Sequence, residues 1–152
     1  MIDVPVLLRC NACSAVNRLP SARLREHPLC GKCKSTLSYP QNPVVVTDAN
    51  FRREVLESPG FVLVFFWASW CAHCMGMFPI IRDFARQRAG IVKVATINTE
   101  KEQGLSRSFG VMSVPRLTLF KHGCLINELN GAVGSLKLDE WTDYQIRTAA
   151  KE

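Results

Sequence analysis

Phe66-Trp67-Ala68-Ser69-Trp70-Cys71-Ala72-His73-Cys74 is the stretch on which the reading of this chain turns. Leading into it, Phe61 to Trp67 is an unbroken apolar run, the pattern of a central strand that helices cover on both faces. Beyond it, Phe78, Ile81, Phe84 and Ala85 recur at helical spacing, which predicts a helix from about Cys71 to Arg88 with a kink at Pro79. Two cysteines therefore fall on the first turn of a helix that follows a buried strand. Unpaired backbone N–H groups and the helix dipole stabilise a thiolate there. Cys71 is expected to have a depressed pKa and to act as nucleophile. Cys74, three residues on and facing the same side, is expected to resolve the mixed disulfide, which completes a cycle of dithiol–disulfide exchange.

Outward from this junction the chain alternates apolar runs with helical patterns, the mark of α/β architecture. Val44-Val45-Val46 reads as a first strand, followed by a cap at Thr47 or Asp48 and an amphipathic segment with Phe51, Val55 and Leu56 on one face. Ile91 to Ile97 reads as a strand and Gly104–Phe109 as a short helix. Arg116 to Lys121 and Leu125 to Asn130 form a hairpin around Lys121-His122-Gly123-Cys124. A last helix, Ser135 to Ala149, carries Leu136, Leu138, Trp141 and Ile146. Toward the N-terminus, Tyr39-Pro40-Gln41-Asn42-Pro43 marks a break, because two prolines favour an extended linker. The expected organisation is a head over residues 1–39, a linker over 40–43 and a larger domain over 44–152.

The head is too small to hold a useful core without a staple. Cys10-x2-Cys13 and Cys30-x2-Cys33, sixteen residues apart, match the spacing at which two tight turns aim four thiolates at one zinc ion. One structural zinc, closed and redox-inactive, is expected on Cys10, Cys13, Cys30 and Cys33. Iron or two disulfides are the alternatives, and His27 is read as a surface residue.

The 152 residues are 47% hydrophobic and 21% charged, which excludes collagen-like, disordered and coiled-coil chains. The formal charge of +6 comes from scattered residues (Arg23 and Arg25, Arg52 and Arg53, Arg82, Arg86 and Arg88), read as solvated basic faces. They do not form a nucleic-acid arm. The opening MIDVPVLLRC lacks the basic leader and apolar core of a secretory signal. The longest apolar run, Phe61 to Ala68, is far short of the ~20 residues that span a bilayer. A cytoplasmic protein with no membrane partner is expected. In that compartment, pairs of cysteines read first as metal ligands or redox chemistry.

Trp67-Ala68-x-Trp70-Cys71-x-x-Cys74, Pro79 within the following helix, Val114-Pro115 before a strand, Phe120-Lys121-x-Gly123 in the hairpin and Gly131-Ala132 before the last helix occur in order over nearly the whole chain. With them, the sequence resembles the thioredoxin family, in particular the thioredoxin-2 type with an N-terminal zinc head. The resemblance implies a thioredoxin fold, a central mixed β-sheet flanked by helices and preceded by a small zinc-ribbon-like head. It also implies reduction of protein disulfides, with electrons from a thioredoxin reductase. On the same basis Pro115 is a cis-proline facing the disulfide, and Val114 offers backbone hydrogen bonds to a bound substrate segment. Three features depart from the family pattern. Ala72-His73 stands where Gly-Pro is typical, Phe65 where a buried Asp is usual, and Thr96 where its Lys partner is usual.

Among the remaining signals, Trp70 reads as an exposed residue beside the site and Trp67 as core. His73, between the two cysteines, reads as functional, as in disulfide isomerases and oxidases. Met75 reads as a rim residue and Met77 as packing, with a Cys/His/Met copper site as the alternative. Cys124 reads as incidental in a hairpin turn, and Arg116 as either adding positive potential near Cys71 or reaching solvent. The leading expectation is a monomeric protein-disulfide reductase. Its rivals are a more oxidising oxidase or isomerase, a redox-responsive protein-binding module and a zinc-ribbon nucleic-acid binder. The last lacks aromatic–basic interleaving in the head, and nucleic acid is not expected as a partner.

Overall fold

The computed structural model describes residues 5–150. Part of the N-terminal stretch read for a leader, Met1 to Val4, and the last two residues of the expected larger domain lie outside the described residues.

Two sheets organise the chain. The head carries an antiparallel pair, β1 (Val6–Arg9) and β2 (Val16–Leu19), followed by a 3-10 turn over Ser21–Glu26. The second sheet has five strands: β3 (Val44–Val45), β4 (Phe61–Trp67), β5 (Val92–Asn98), β6 (Arg116–Lys121) and β7 (Cys124–Asn130). Their spatial order is β3-β5-β4-β6-β7; the first three are parallel, β6 is antiparallel to β4, and β7 is antiparallel to β6. Three α-helices complete the fold: α1 (Ala72–Gln87), α2 (Gln103–Ser108) and α3 (Ser135–Ala150).

The apolar run of β4 explains its position. Its residues 61–66 are all buried, and alternate side chains feed two separate cores. Phe61, Leu63 and Phe65 pack with Ile81, Phe84, Leu138 and Ile146 from α1 and α3. Val62, Val64 and Phe66 pack on the other face with Phe51, Val55, Leu105 and Phe120. The C-terminus of α1 is pinned to α3 by Arg88, which donates to Asp143 at 2.6 Å and to Asp139 at 3.1 Å. Arg88 therefore does not belong with the solvated basic residues, because α3 brings two carboxylates to it.

The amphipathic segment after Asp48 forms a π-helical turn over Arg52–Leu56. Phe51 and Val55 are buried as expected, but Leu56 is exposed, because the wider turn rotates it off the inward face. Leu136 on α3 likewise faces solvent, while Leu138 and Ile146 are buried. Only the residues spaced to meet α1 and the sheet are covered. The hairpin turns at His122 and Gly123, with φ of 50° and 80°, the pair of positive dihedrals that matches the twist of its strands. It docks on the loop before β4, where His122 N–H donates to the Gly60 carbonyl at 2.9 Å and Gly60 N–H donates to His122 Nδ1 at 3.1 Å.

The head keeps its own small core of Val6, Leu8, Leu19, Leu37, Cys10 and Cys30. It meets the larger domain on both sides of this core. A Cβ at Gly90, just before β5, would come within 2.5 Å of Leu24 Cδ1. From the head, Arg9 donates to the Glu57 carbonyl at 2.8 Å.

Gly123 combines a positive φ with a close approach, since a Cβ there would lie 2.1 Å from the Leu56 carbonyl oxygen. Gly123→Ala should therefore lower stability by about 2–3 kcal/mol in urea denaturation. A loss of under about 0.5 kcal/mol, the usual size of a neutral surface change, would show that the hairpin does not seat on this loop.

Candidate active site and metal centre

The cysteine pair lies where β4 ends and α1 begins. Cys71 is the N-cap residue of α1, in extended conformation, and its Sγ accepts the backbone N–H of Cys74 at 3.1 Å. This is one of the donors that a helix N-terminus leaves unpaired, here aimed at sulfur. Cys71 and Cys74 are joined by a disulfide. Cys74 is fully buried and Cys71 nearly so, at 5% exposure, so attack from outside meets the Cys71 sulfur first. The Val114–Pro115 peptide is cis, and the Val114 carbonyl oxygen lies 3.8 Å from Cys71 Sγ. Strand order accounts for the meeting, because β6 runs beside β4 and its Arg116 pairs with Phe66.

Around this centre, Trp70 is 72% exposed and His73 lies exposed on the first turn of α1. Trp67 is half-buried and packs edge-to-face on Phe78, with ring centroids 5.0 Å apart. Met77 is buried in the core while Met75 faces solvent, so the two thioethers diverge and do not assemble a copper site. Cys124 is exposed and free at the start of β7.

Phe65 and Thr96 pair directly across β4 and β5, and both are buried. Two of the departures named from the resemblance are thus direct neighbours across the sheet. Phe65 belongs to the same apolar cluster as Cys71 and Cys74, and its ring meets Phe78 edge-to-face at 5.3 Å. The bed of the disulfide is hydrocarbon.

One feature of the site had no signal in the sequence, and a second was misread. Glu100, in the loop after β5, accepts from both the backbone N–H and the hydroxyl of Ser69, at 2.6 and 2.7 Å. The loop that leads to Cys71 is anchored by this pair. The Ser69 hydroxyl, and then its N–H, hold the Glu100 carboxyl below its usual range. The second is Arg116. It is 7% exposed, pairs with Glu128 and lies 5.9 Å from the Phe66 ring centroid. Both expectations for it are corrected. It reaches neither solvent nor Cys71, because its position on β6 points it to the face opposite the disulfide.

In the head, four sulfurs converge. All four lie within 4.8 Å of one another, with Cys10 and Cys33 at 3.6 Å and Cys13 and Cys30 at 3.6 Å. A tetrahedral zinc with Zn–S of about 2.3 Å places its sulfurs about 3.8 Å apart, so the donor set fits this ion. All four are free cysteines, and the two-disulfide alternative is not what the head contains.

The two knuckles repeat each other. Cys10 N–H donates to the Ala15 carbonyl and Ser14 N–H to that of Cys10; Cys30 N–H donates to the Ser35 carbonyl and Lys34 N–H to that of Cys30. Ser14 and Lys34 both take positive φ, 67° and 68°. The N–H of Ala12 points at Cys10 Sγ and that of Lys32 at Cys30 Sγ, both at 3.4 Å, as suits sulfurs that carry charge. Chiefly through the Cys33 N–H, then the Asn17 amide, the Cys30 thiol is pulled down to about 6. Cys33 is lowered by the Ser35 hydroxyl. At Cys13 the Ala15 N–H pulls downward, but burial and the other three thiols outweigh it and hold the group up at about 11. A divalent ion at this point would supply the charge that offsets four converging thiolates. His27 is exposed, as expected of a surface residue.

Comparison with known proteins agrees with this geometry. The family described as Thioredoxin matches residues 42–144, and the family described as Thioredoxin 2, N-terminal, a zinc ribbon, matches residues 9–35. The chain is 34% identical over 142 residues to Thioredoxin C-3 of Corynebacterium nephridii, covering 93% of this chain and 97% of that protein. It is 40% identical over 101 residues to Thioredoxin 1 of Synechococcus elongatus, covering 66% of this chain and 94% of that one. Among solved structures, a single-site mutant of a thioredoxin from Halobacterium salinarum superposes with a TM-score of 0.63 at 29% identity, over 68% of this chain and 90% of that one. A cysteine pair at a helix N-terminus on a mixed sheet, behind a four-cysteine ribbon, places the chain in the thioredoxin family of disulfide oxidoreductases, in the form that carries a zinc-ribbon head.

Proposed function

We propose that Cys71 is the attacking and Cys74 the resolving thiol of a protein-disulfide reductase. The observation that carries this reading is the Cys74 N–H aimed at Cys71 Sγ on the outer side of a disulfide whose other sulfur is fully buried. In the reduced protein the Cys71 thiolate attacks one sulfur of a substrate disulfide. That S–S bond breaks, a mixed disulfide forms and one substrate thiolate leaves. Cys74 then gives up its proton and attacks Cys71 Sγ. The second substrate thiolate leaves, and the Cys71–Cys74 disulfide forms. The substrate has gained two electrons and, from solvent, two protons. A dithiol reductase of the thioredoxin-reductase class returns the two electrons.

Trp70 offers a flat apolar contact to the incoming polypeptide, and Val114 with Pro115 forms the edge along which it lies. His73, on the first turn of α1, is placed to influence the charge on Cys71. Because Phe65 replaces an acid, no carboxylate at that position accepts the Cys74 proton. The resolving step is therefore expected to be slower than in relatives that keep the acid.

The division of the chain supports a separation of labour: head 1–39, linker 40–43 and thioredoxin domain 44–152. The head holds one zinc on Cys10, Cys13, Cys30 and Cys33, and the ion, when bound, supplies charge neutralisation and cross-linking without redox chemistry. Among the described residues no helix is long and apolar enough to cross a membrane. We read the protein as a cytoplasmic monomer whose partners are disulfide-bearing proteins and a reductase, with no role for nucleic acid.

Two outcomes test this reading. Cys71→Ser should abolish insulin reduction, while Cys74→Ser should accumulate mixed disulfides that appear as higher-mass adducts on non-reducing gels. Multiple turnover by Cys74→Ser would show that another thiol, such as Cys124, resolves. In the head, elemental analysis of protein purified under reducing conditions should find one zinc per chain. Cys10→Ser and Cys30→Ser should each lose it together with head order, because little else holds that small core. A metal-free head that remains ordered would overturn the assignment.

A further inference from the structure

Arg116 follows Pro115 directly and starts β6, yet its guanidinium serves the other face of the sheet. It lies opposite Phe66 on β4, and the guanidinium approaches the Phe66 ring, with the centroid 5.9 Å away. One terminal nitrogen donates to the carbonyl oxygen of Gly110 at 3.2 Å. The other pairs with Glu128 on β7. Glu128 pairs in register with Thr118, so it reaches Arg116 along the diagonal of an antiparallel pair. The side chain thus ties together β6, β7 and the connection from α2.

That connection, from Phe109 to Pro115, carries Val114. Its first part is fixed by Gly110 N–H donating to Arg107 and Val111 N–H donating to Ser106. After Pro115, Gly131 N–H donates to the Pro115 carbonyl at 2.9 Å. Between these points the N–H groups of Met112, Ser113 and Val114 donate to no acceptor among the described residues, and Met112 is 94% exposed. The backbone N–H edge is therefore open between those points, while the Val114 side chain packs on both apolar clusters. Arg116 is the side chain that joins those points, from Gly110 on one side to β6 and β7 on the other.

We propose that Arg116, backed by Glu128, is a positioning residue that holds the Val114–Pro115 edge in the extended form required by polypeptide substrates. This rests on the reading that substrate lies along that edge. A planar fork with two anchored ends does what a lysine cannot, since an ammonium is a single point charge. A small disulfide needs only the Cys71 sulfur and does not use the edge. The clamp therefore sorts substrates by size: it lowers KM for a protein disulfide and leaves small-molecule exchange alone.

The test compares insulin with 5,5′-dithiobis(2-nitrobenzoate) as oxidant of the reduced full-length protein, for the native chain, Arg116→Lys, Arg116→Met and Glu128→Gln. In Arg116→Met the KM for insulin should rise by about fivefold or more (~1 kcal/mol). Arg116→Lys and Glu128→Gln should show smaller rises in the same direction. The rate with the small disulfide and the reduction potential should stay within about twofold and about 10 mV of native, the latter corresponding to about a twofold change in K for a two-electron couple. The Glu128 side chain is partly exposed, so Glu128→Gln keeps the test open should Arg116→Met fold poorly. An unchanged KM for insulin in both Arg116→Lys and Glu128→Gln would overturn the inference, as would equal loss with both oxidants. Failure of the native chain to reduce insulin would instead overturn the reductase reading, and the inference with it.

Discussion

The bond from the Cys74 N–H to Cys71 Sγ, 3.1 Å long, is the contact on which the chemistry of this protein depends, and it exists only because a buried strand runs straight into a helix. β4 is fixed by β5 on one side and β6 on the other and is covered on both faces. Its end is therefore a rigid point. The next residues are held by Glu100 through Ser69 and by the Thr99 N–H bond to the Trp67 carbonyl at 2.9 Å. The helix that follows has no freedom over where its first N–H groups point. Preorganised donors of this kind stabilise a thiolate without any reorganisation at the moment of reaction. Strand order then brings Val114 and Pro115 to the same sulfur, so the proposed attack and substrate seating both rest on one sheet.

The head works by the opposite logic. Its sulfurs are gathered on two repeated turns and enclosed by their own N–H donors, with all four thiols directed inward to one point. A closed set of four thiolates leaves no open position for a reacting molecule, which is the difference between a structural and a catalytic metal site. The same element thus serves two ends in one chain: as Cys-x2-Cys pairs that hold an ion, and as a Cys-x2-Cys pair at a helix N-terminus that exchanges electrons. What separates them is the local backbone, a tight turn in one case and a helix cap in the other.

Most of this was legible in the residues. The seven apolar positions of β4, the helical spacing after Cys71, the sixteen-residue gap between the head's cysteine pairs and the turn at His122-Gly123 each encode their structure locally, so spacing alone locates them. What escaped was set by tertiary partners. Arg88 and Arg116 look like any surface cations until α3 supplies Asp139 and Asp143 to the one and β7 supplies Glu128 to the other. Leu56 and Leu136 fit an apolar face by sequence but lie outside the area their neighbours cover. Glu100 and Ser69 are thirty-one residues apart, and no periodicity connects them.

Beneath the disulfide, Phe65 lines the site with hydrocarbon and pairs with Thr96 on β5. A hydrocarbon bed disfavours charge on the buried sulfur, while the donors of a helix N-terminus favour charge on the outer one, and His73 in its proposed role acts in the same direction. Thiolate exists only in the reduced state, so its stabilisation draws the couple toward reduction, by about 30 mV, or ~1.4 kcal/mol, for each pKa unit. The expected displacement is from about −270 mV, the value of an ordinary thioredoxin, to roughly −240 to −210 mV. Redox equilibration of the Cys71–Cys74 pair against glutathione, for the native protein and for His73→Pro, measures this directly. The expected native value lies in that raised range and falls on substitution of His73; a native potential at or below about −270 mV, unmoved by His73→Pro, would contradict it.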